Sequence, residues 1–210
     1  MTGDDEADAA FRRAVRSGYD SLADAYAAQR DAGDDSPDLL DSLFDDLGAG
    51  ARVLDLGCGA GDLVLDSLPD PVRGVGLDVS REQTRRARTH ADRVVQGDMT
   101  ALPFDADSFD AATAMYSIIH VPASEHPAVY AELARVLRPG GDAVVVTGHD
   151  AWTGANPDWL DANVEMRWSW PALAETKRAL REAGLEVVEE ADVADSLGGS
   201  FRHLRLSLDA

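Results

Sequence analysis

Apolar residues near the start of the chain recur at the spacing of one helix face. The stripe consists of Phe11, Val15, Tyr19, Leu22, Ala23 and Tyr26. This period predicts an amphipathic helix. We expect Gly18 to weaken this helix or break it in two, and the polar loop 31–37 to end it. A second helix is predicted over residues 38–47, closed by Gly48 and Gly50.

The pattern changes at residue 51, where short apolar runs begin to alternate with helical stretches. Strands are predicted at Arg52–Leu56, Arg73–Leu77, Arg93–Gln96, Phe109–Tyr116, Asp142–Thr147, Leu185–Glu190 and Phe201–Leu208. Helices are predicted at Asp62–Leu68, Arg81–His90, Ala123–Leu137 and Pro171–Ala183. Such alternation is typical of an α/β protein whose parallel sheet is covered on both faces. Because a short loop joins the last two strands, we expect them to pair antiparallel.

The length of 210 residues favours one domain with a small appendage. We therefore expect residues 1–50 to form an N-terminal helical cap and residues 51–210 to form one compact unit. Cys58 is the only cysteine, so an intrachain disulfide is excluded. No run reaches the roughly eighteen apolar residues of a membrane span, and the acidic N-terminus lacks a targeting pattern. These features predict a cytoplasmic protein.

The charge balance changes the picture of possible partners. Asp and Glu total 39 against 19 Lys and Arg, which gives a formal net charge of −20, and Lys177 is the only lysine. Because nucleic acids and anionic membranes are bound through Lys and Arg, neither is expected as a partner. The densest basic run, 81–93, is interpreted as the solvated face of a helix. Uniform acidity with almost no lysine favours a salt-adapted, halophilic source over an ordinary acidic protein, and we expect a monomer or homodimer.

A glycine-rich turn follows the first predicted strand. It places Gly57, Gly59 and Gly61 at alternate positions, two residues after Asp55. Glycines let a ligand approach the backbone closely, although a tight strand-to-helix turn would explain the same spacing. The pattern differs from the Gly-x-Gly-x-x-Gly of dinucleotide sites. An acid here would repel a pyrophosphate and suits a ligand that carries an amino group.

Acids also follow the next two predicted strands. Asp78, followed by Val79 and Ser80, lies about twenty residues past the glycine turn, where a carboxylate can accept hydrogen bonds from ribose hydroxyls. Ser80 is the better helix cap, so we expect Asp78 to have no structural role. After the third strand, Asp98 can accept from an adenine amino group and Met99 can pack on the ring; a simple turn is an equal alternative for this segment.

Together these three segments resemble the class I S-adenosylmethionine-dependent methyltransferases of the small-molecule type. The resemblance continues with Leu102-Pro-Phe104, Ser108-Phe-Asp110 and Leu137-Arg-Pro-Gly-Gly141, and it covers the chain from about Tyr19 onward. It implies a Rossmann-like, doubly wound, mainly parallel sheet of seven strands whose last strand is antiparallel. It also implies S-adenosylmethionine as cofactor.

The resemblance implies specific contacts with that cofactor. Asp55 and the loop glycines would bind the methionine portion, Asp78 the ribose, and Asp98 with Met99 the adenine. Tyr19 and Tyr26 would belong to a helix that covers the cofactor, unless they only pack that helix on the sheet. The cofactor-binding residues expected are Tyr19, Tyr26, Asp55, Gly57, Cys58, Gly59, Gly61, Asp78, Val79, Asp98, Met99 and Met115.

Methyl transfer from a sulfonium is an in-line displacement, so alignment supplies most of the acceleration. A base is needed only where the acceptor must lose a proton. His120, after the fourth strand, is the candidate base and Tyr116 the weaker one; a histidine merely positioned by its loop is the alternative for His120. No metal is expected, because the histidines show no ligand spacing; a divalent ion bound by scattered carboxylates is the alternative.

All four tryptophans lie between the fifth strand and the next helix, in a connection long enough to be functional. Trp152, Trp168 and Trp170 are predicted to line a substrate pocket; a hydrophobic cluster that pins the loop is the alternative. The Asn/Asp-Pro-Pro-aromatic motif of nucleobase amine methylation is missing from the sequence. We therefore predict a small-molecule methyltransferase. A non-catalytic S-adenosylmethionine-binding module and an NAD(P)-dependent oxidoreductase are the alternative functions.

Overall fold

The computed structural model describes residues 3–29, 38–91, 93–194 and 199–209. Its helices are α1 (Gly3–Gln29), α2 (Asp38–Asp45), α3 (Arg81–Ala87), α4 (His126–Val136) and α5 (Leu173–Glu182). Its strands are β1 (Arg52–Leu56), β2 (Arg73–Asp78), β3 (Arg93–Gln96), β4 (Phe109–Ala114), β5 (Leu137–Thr147), β6 (Trp152–Asn156), β7 (Met166–Trp170), β8 (Leu185–Ala194) and β9 (Ser200–Leu208).

Seven strands form one sheet in the order β3-β2-β1-β4-β5-β9-β8. Strands β1 to β5 are parallel, and β9 runs antiparallel between β5 and β8. The predicted fold class, a doubly wound sheet with its last strand antiparallel, is confirmed.

The two faces of the sheet carry different helices because alternate residues of each strand point to opposite sides. Leu54 of β1 packs in a core that includes α4 and α5, whereas Val53 packs in a core that includes α2. Both faces are therefore apolar. Apart from Arg52 and Arg73 at the amino ends, the polar side chains of β1 and β2 are Asp55 and Asp78, which lie near the carboxyl ends of the strands. That end of the sheet is where a parallel α/β fold places its ligands.

Helix α1 is continuous over 27 residues, so the expected break at Gly18 is wrong. A Cβ atom at position 18 would lie 2.8 Å from Met166 Cε and 3.2 Å from the Glu165 carbonyl oxygen. The glycine therefore allows α1 to pack closely on β7, and tertiary packing offsets its low helix propensity. The loop 31–37 expected to end this helix lies outside the described residues.

Other element predictions also need correction. The helix predicted at Arg81–His90 ends at Ala87, and the strand predicted at Leu185–Glu190 continues to Ala194. Residues 62–68 form no α-helix but only a 3-10 turn, Leu65–Ser67, whose Leu65 side chain packs over Gly74 and Gly76. Strand β4 ends at Ala114 because Tyr116 adopts a left-handed φ of 51°. Strand β5 begins at Leu137, directly after α4, because Leu137 already pairs with Phe109.

The long tryptophan-bearing connection is a β-hairpin rather than a loop. Strands β6 and β7 pair antiparallel, with Trp152 opposite Trp170 and Gly154 opposite Trp168. In β7, Met166, Trp168 and Trp170 alternate with Arg167 and Ser169, which is the period of a half-buried strand. Among the described residues, no helix combines the length and apolar character needed to cross a membrane.

Candidate active site at the carboxyl ends of the strands

Two adjoining cavities open where β1, β2 and β4 end. The first, with about 700 Å³ of empty space including its mouth, is lined by Arg12, Tyr19, Tyr26, Gly57, Gly59, Asp78, Val79, Gly97, Asp98, Met99, Met115, Tyr116, Ser117, His120 and Val121. The second, about 680 Å³, is lined by Tyr26, Ala27, Asp55, Gly57, Cys58, Gly59, Ala60, Gly61, Asp62, Leu63, Val64, Gln83 and Met115. They share Tyr26, Gly57, Gly59 and Met115, and so form two lobes around the glycine loop.

The glycine loop folds back against the end of β2. Both the Gly57 and Cys58 N–H groups donate to the Leu77 carbonyl oxygen, at 2.7 and 3.0 Å. Gly57 has a φ of 70°, and a Cβ there would lie 2.3 Å from Ser117 Cβ. Only glycine combines this left-handed conformation with so close an approach. Above Gly59 the space is open, since a Cβ would meet nothing within 4 Å.

Asp55 is a buried carboxylate at the end of β1. Its Oδ1 accepts a hydrogen bond from Thr113 Oγ1 at 2.8 Å. Burial raises the pKa of Asp55 to about 7; the Thr113 hydrogen bond opposes this effect, and the nearby Asp78 charge adds to it. A group in this state favours a cationic partner, because a positive charge would restore the ionised form.

Asp78 ends β2 and connects three segments. Its Oδ1 accepts from the Ser80 N–H at 2.7 Å, and its Oδ2 accepts from the Gly59 N–H at 3.0 Å. Ser80 caps α3 as predicted, accepting from the Gln83 N–H. The expectation that Asp78 has no structural role is wrong, because it ties the glycine loop to β2. Burial raises its pKa to about 6, against these hydrogen bonds. Its oxygens retain lone pairs for further donors.

Asp98 lies in the first cavity beside Met99. Its Oδ1 accepts from the Thr100 N–H at 2.9 Å and from Thr100 Oγ1 at 2.8 Å, which forms a local turn. Its Oδ2 lies 3.9 Å from Arg12 Nε. Arg12 also donates to Glu125. Sequence reasoning missed Arg12, because nothing in the helical pattern shows which neighbours α1 will meet.

His120 links the first cavity to α1 and β7. Its Nδ1 lies 2.8 Å from the Arg167 carbonyl oxygen, and its Nε2 lies 2.8 Å from the Tyr19 hydroxyl. Because a carbonyl only accepts, Nδ1 carries the proton, and Nε2 of the neutral ring accepts from Tyr19. This tautomer keeps the basic nitrogen on the cavity side of the ring. The predicted base and the predicted lid residue are thus in direct contact.

Tyr116 lines the same cavity, but its hydroxyl is 3.1 Å from His203 Nε2. Its ring packs edge-on against Phe201 and His203, with centroids 5.6 and 5.4 Å away. The left-handed backbone at this residue turns the ring into the core beside β9. Contact with His203 makes Tyr116 a less direct proton acceptor than His120.

The tryptophans lie behind the cavity wall. The rings of Trp168 and His120 are 5.5 Å apart, and Trp152 stacks on Trp170 at 5.1 Å. Trp152 is 46% exposed, and Trp170 Nε1 donates to the Asp150 carbonyl at 2.8 Å. Within the described residues, neither cavity has Trp152, Trp168 or Trp170 in its lining. Trp168 approaches the cavity residue His120, and Trp159 approaches the cavity residues Tyr19 and Tyr26, with ring centroids 5.9 and 5.7 Å apart.

Hydrogen bonds fasten α1 over both lobes. Asp20 Oδ1 accepts from Ser80 Oγ at 2.7 Å and from the Glu82 N–H at 3.2 Å. Asp24 pairs with Arg86 at 2.5 Å. Together with the Tyr19 contact to His120, these bonds place Tyr19 and Tyr26 as a roof over the cavities.

The arrangement matches a known family. Residues 53–141 match the model of a methyltransferase domain. The chain is 33% identical over 166 residues to phosphatidylethanolamine N-methyltransferase of Cereibacter sphaeroides, an alignment that covers 74% of this chain and 79% of that protein. The chain belongs to the S-adenosylmethionine-dependent methyltransferase family. Over 180 residues it is 31% identical to a sterol 24-C-methyltransferase of Aspergillus fumigatus, covering 74% of this chain. It spans only 47% of that relative, about half its length.

The fold of this family member is also found in solved structures. The 1,6-didemethyltoxoflavin-N1-methyltransferase of Burkholderia thailandensis, solved with S-adenosylhomocysteine, superposes with a TM-score of 0.74 at 20% identity. The match covers 100% of this chain and 92% of that one. S-adenosylmethionine, the cofactor implied by the sequence, is the cofactor of the family.

The fold brings most of the predicted site residues together. Every predicted cofactor residue lines one or both lobes. The lining residues that sequence reasoning missed include Arg12 on α1 and Gln83 on α3. The described residues contain no group of three or more His, Cys, Asp or Glu side chains arranged for a metal ion, and the absence of a metal stays a prediction.

Proposed function

We propose that this chain transfers the methyl group of S-adenosylmethionine to a small-molecule acceptor. The observation that carries the proposal is the position of Asp55, Asp78 and Asp98. They lie at or just after the ends of three successive strands, on the walls of two lobes that share the glycine loop. Three acceptors in these places suit the three donor groups of the cofactor, which are the methionine ammonium, the ribose hydroxyls and the adenine amino group.

The residues present fit this cofactor. Asp55 is buried and acceptor-only when ionised, which suits an ammonium partner. Asp78 already orders the loop through two backbone N–H groups and keeps lone pairs for ribose hydroxyls. The open space above Gly59 allows a ligand to contact the backbone itself.

The bound cofactor would supply an activated sulfonium methyl group. The chain's own residues would align the acceptor and exclude water. We assign the roof to Tyr19 and Tyr26 of α1, within a helical cap formed by residues 1–50. We assign His120 as the base for an acceptor that loses a proton, since its Nε2 is the acceptor nitrogen on the cavity side. Tyr116 is the second candidate.

The chemistry of the walls indicates the type of acceptor. Beside its charged and polar residues, the first lobe carries Met115, Tyr116, Val121 and two roof tyrosines. This apolar part of the wall favours an acceptor with an apolar or aromatic body. Trp168 supports this wall through His120. We propose that Trp152 and Trp170, whose rings pack in one cluster with Trp168, belong to the same acceptor side. The net charge of −20 disfavours a nucleic-acid acceptor.

Two measurements test the proposal. Calorimetric titration should show saturable binding of S-adenosylmethionine and S-adenosylhomocysteine and no binding of NAD. Binding of NAD without binding of S-adenosylmethionine would refute the cofactor assignment. Incubation with methyl-labelled cofactor and a panel of small metabolites should then label at least one. Cofactor binding without transfer to any member, including aromatic alcohols and amines, would favour the non-catalytic module instead.

A further inference from the structure

Gln83 is a buried polar side chain whose amide is not hydrogen-bonded to any part of the chain that the structure describes. It lies on α3, where its backbone N–H is bonded to Ser80 Oγ at 3.1 Å, and it is 1% exposed. Its side-chain Oε1 and Nε2 both lack a hydrogen-bond partner within the described residues. A buried unpaired amide is unfavourable, and an apolar residue of the same shape would avoid that cost. The folded chain alone therefore gives no reason for a glutamine here.

Gln83 is one of the residues that line the second lobe, together with Asp55 and the glycine loop. Among the described residues that line it, none is an arginine, a lysine or a histidine. Asp55 and Asp62 contribute acceptors, whereas Gln83 and Tyr26 are the lining side chains that can donate. The lobe thus pairs an acceptor with a neutral donor, as the recognition of both an ammonium and a carboxylate requires.

We propose that Gln83 binds the amino-acid end of S-adenosylmethionine, with its Nε2 donating to the carboxylate while Asp55 accepts from the ammonium. This inference rests on the proposed function, because it assumes that the cofactor occupies both lobes. A neutral amide suits the position, since a zwitterion beside two acids needs a donor rather than another net charge. On binding, the carboxylate of the cofactor would accept the hydrogen bond that the Gln83 amide lacks in the ligand-free fold.

The test compares two ligands that share the adenosine portion. S-adenosylhomocysteine carries the amino-acid end, and 5′-methylthioadenosine lacks it. Titration calorimetry of Gln83→Met should show S-adenosylhomocysteine binding weakened about tenfold or more. The affinity for 5′-methylthioadenosine should stay within about twofold. Thr84→Val, a buried neighbour on the same helix whose hydroxyl bonds the Arg81 carbonyl, is the matched control and should leave both affinities near wild type.

Thermal unfolding supplies a second readout. Without ligand, Gln83→Met should melt no lower than wild type, because it removes an unpaired amide; Gln83→Leu serves where the methionine variant fails to fold. Unchanged affinity for S-adenosylhomocysteine overturns the proposal, and an equal loss of both ligands assigns Gln83 a purely structural role. A wild-type protein that binds neither ligand refutes the proposed function itself, which is a separate outcome.

Discussion

The Tyr19 hydroxyl lies 2.8 Å from His120 Nε2, so the roof helix and the candidate base share one hydrogen bond. Because Nδ1 is held by the Arg167 carbonyl, the ring has one orientation and one neutral tautomer. An acceptor that gives its proton to Nε2 must first displace Tyr19. Movement of α1 and exposure of the base are therefore coupled.

Replacing the His120 imidazole should lower the rate of methyl transfer and leave the affinity for the cofactor nearly unchanged. For an acceptor that loses a proton, His120→Ala should lower kcat by about 10²–10⁴, the usual contribution of a positioned base. The Kd for S-adenosylhomocysteine should change by less than about threefold, since Asp55, Asp78 and Asp98 are untouched. Labelled methyl transfer and calorimetry measure the two quantities.

His149→Ala is the control for this substitution. His149 lies outside both cavities, with its Nε2 3.5 Å from Asp192 Oδ1, and its loss should leave kcat unchanged. A His120→Ala enzyme as fast as wild type would contradict the base assignment. It would leave His120 as a residue that only positions its loop.

Asp55 makes cofactor affinity depend on pH. Burial holds its pKa near 7 in the ligand-free protein, and the protonated carboxyl cannot pair with an ammonium. The affinity for S-adenosylhomocysteine should therefore weaken about tenfold from pH 8 to pH 6. Asp78, whose pKa lies near 6, adds to the loss at the acidic end. Calorimetry at half-unit intervals of pH, in buffers of matched ionic strength, measures the profile.

Asp55→Asn separates this effect from stability. A folded-state pKa raised above the ordinary 3.8 means that the ligand-free fold loses stability as pH rises from about 4 to 7. The asparagine variant should therefore melt higher than wild type at pH 8, yet bind S-adenosylhomocysteine more weakly and with a flatter pH profile. A substitution that raises stability while it weakens ligand binding is typical of functional residues. A variant that binds as well as wild type at pH 8 would refute the ammonium contact.

The Asp78 carboxylate should be needed to bind the ribose hydroxyls of the cofactor. Asp78→Asn keeps the shape but places an NH₂ group against the Gly59 or Ser80 N–H, and it removes acceptors for ribose hydroxyls. Affinity for S-adenosylhomocysteine should fall at least about tenfold, the usual cost of losing a hydrogen bond to a charged group. Asp66→Asn, at an acid beside His90 outside both lobes, should have no such effect. Equal affinities in all three proteins would count against the site.

Much of this fold follows from local pattern. Strands β1 and β3 have the predicted bounds. For β1 the reason is that a buried parallel strand produces a short, mostly apolar run. Asp55, Asp78 and Asp98 were predictable as site residues, since polar residues at the ends of such runs have no place in the core. The alternation of Met166, Trp168 and Trp170 was a signal for β7 that the long connection concealed.

Other features depend on contacts between distant segments. Gly18 predicts a helix break when it is considered alone. In the fold it is favourable, because its missing side chain leaves room for Met166 to pack against α1. Gln83 lies in a polar run interpreted as solvated, yet the docking of α3 under α1 buries it. Arg12 reaches Asp98 and Glu125 across about ninety residues of sequence or more. Helix periodicity identifies a face but does not identify what that face meets.

The acidic surface should make this protein depend on salt. With a net charge of −20, self-repulsion favours the expanded state, and molar salt shortens the screening length to about 3 Å. We therefore predict that the melting temperature rises by about 5 °C or more between 0.1 and 2 M KCl, which corresponds to about 1–2 kcal/mol for a chain of this size. The same series near pH 4.4, where the sequence is close to neutral, should give a much smaller rise.

A melting temperature that is constant with salt at pH 7 would contradict the proposed salt adaptation and leave an ordinary acidic protein. Equal rises at both pH values would assign the effect to ion exclusion from the surface rather than to charge.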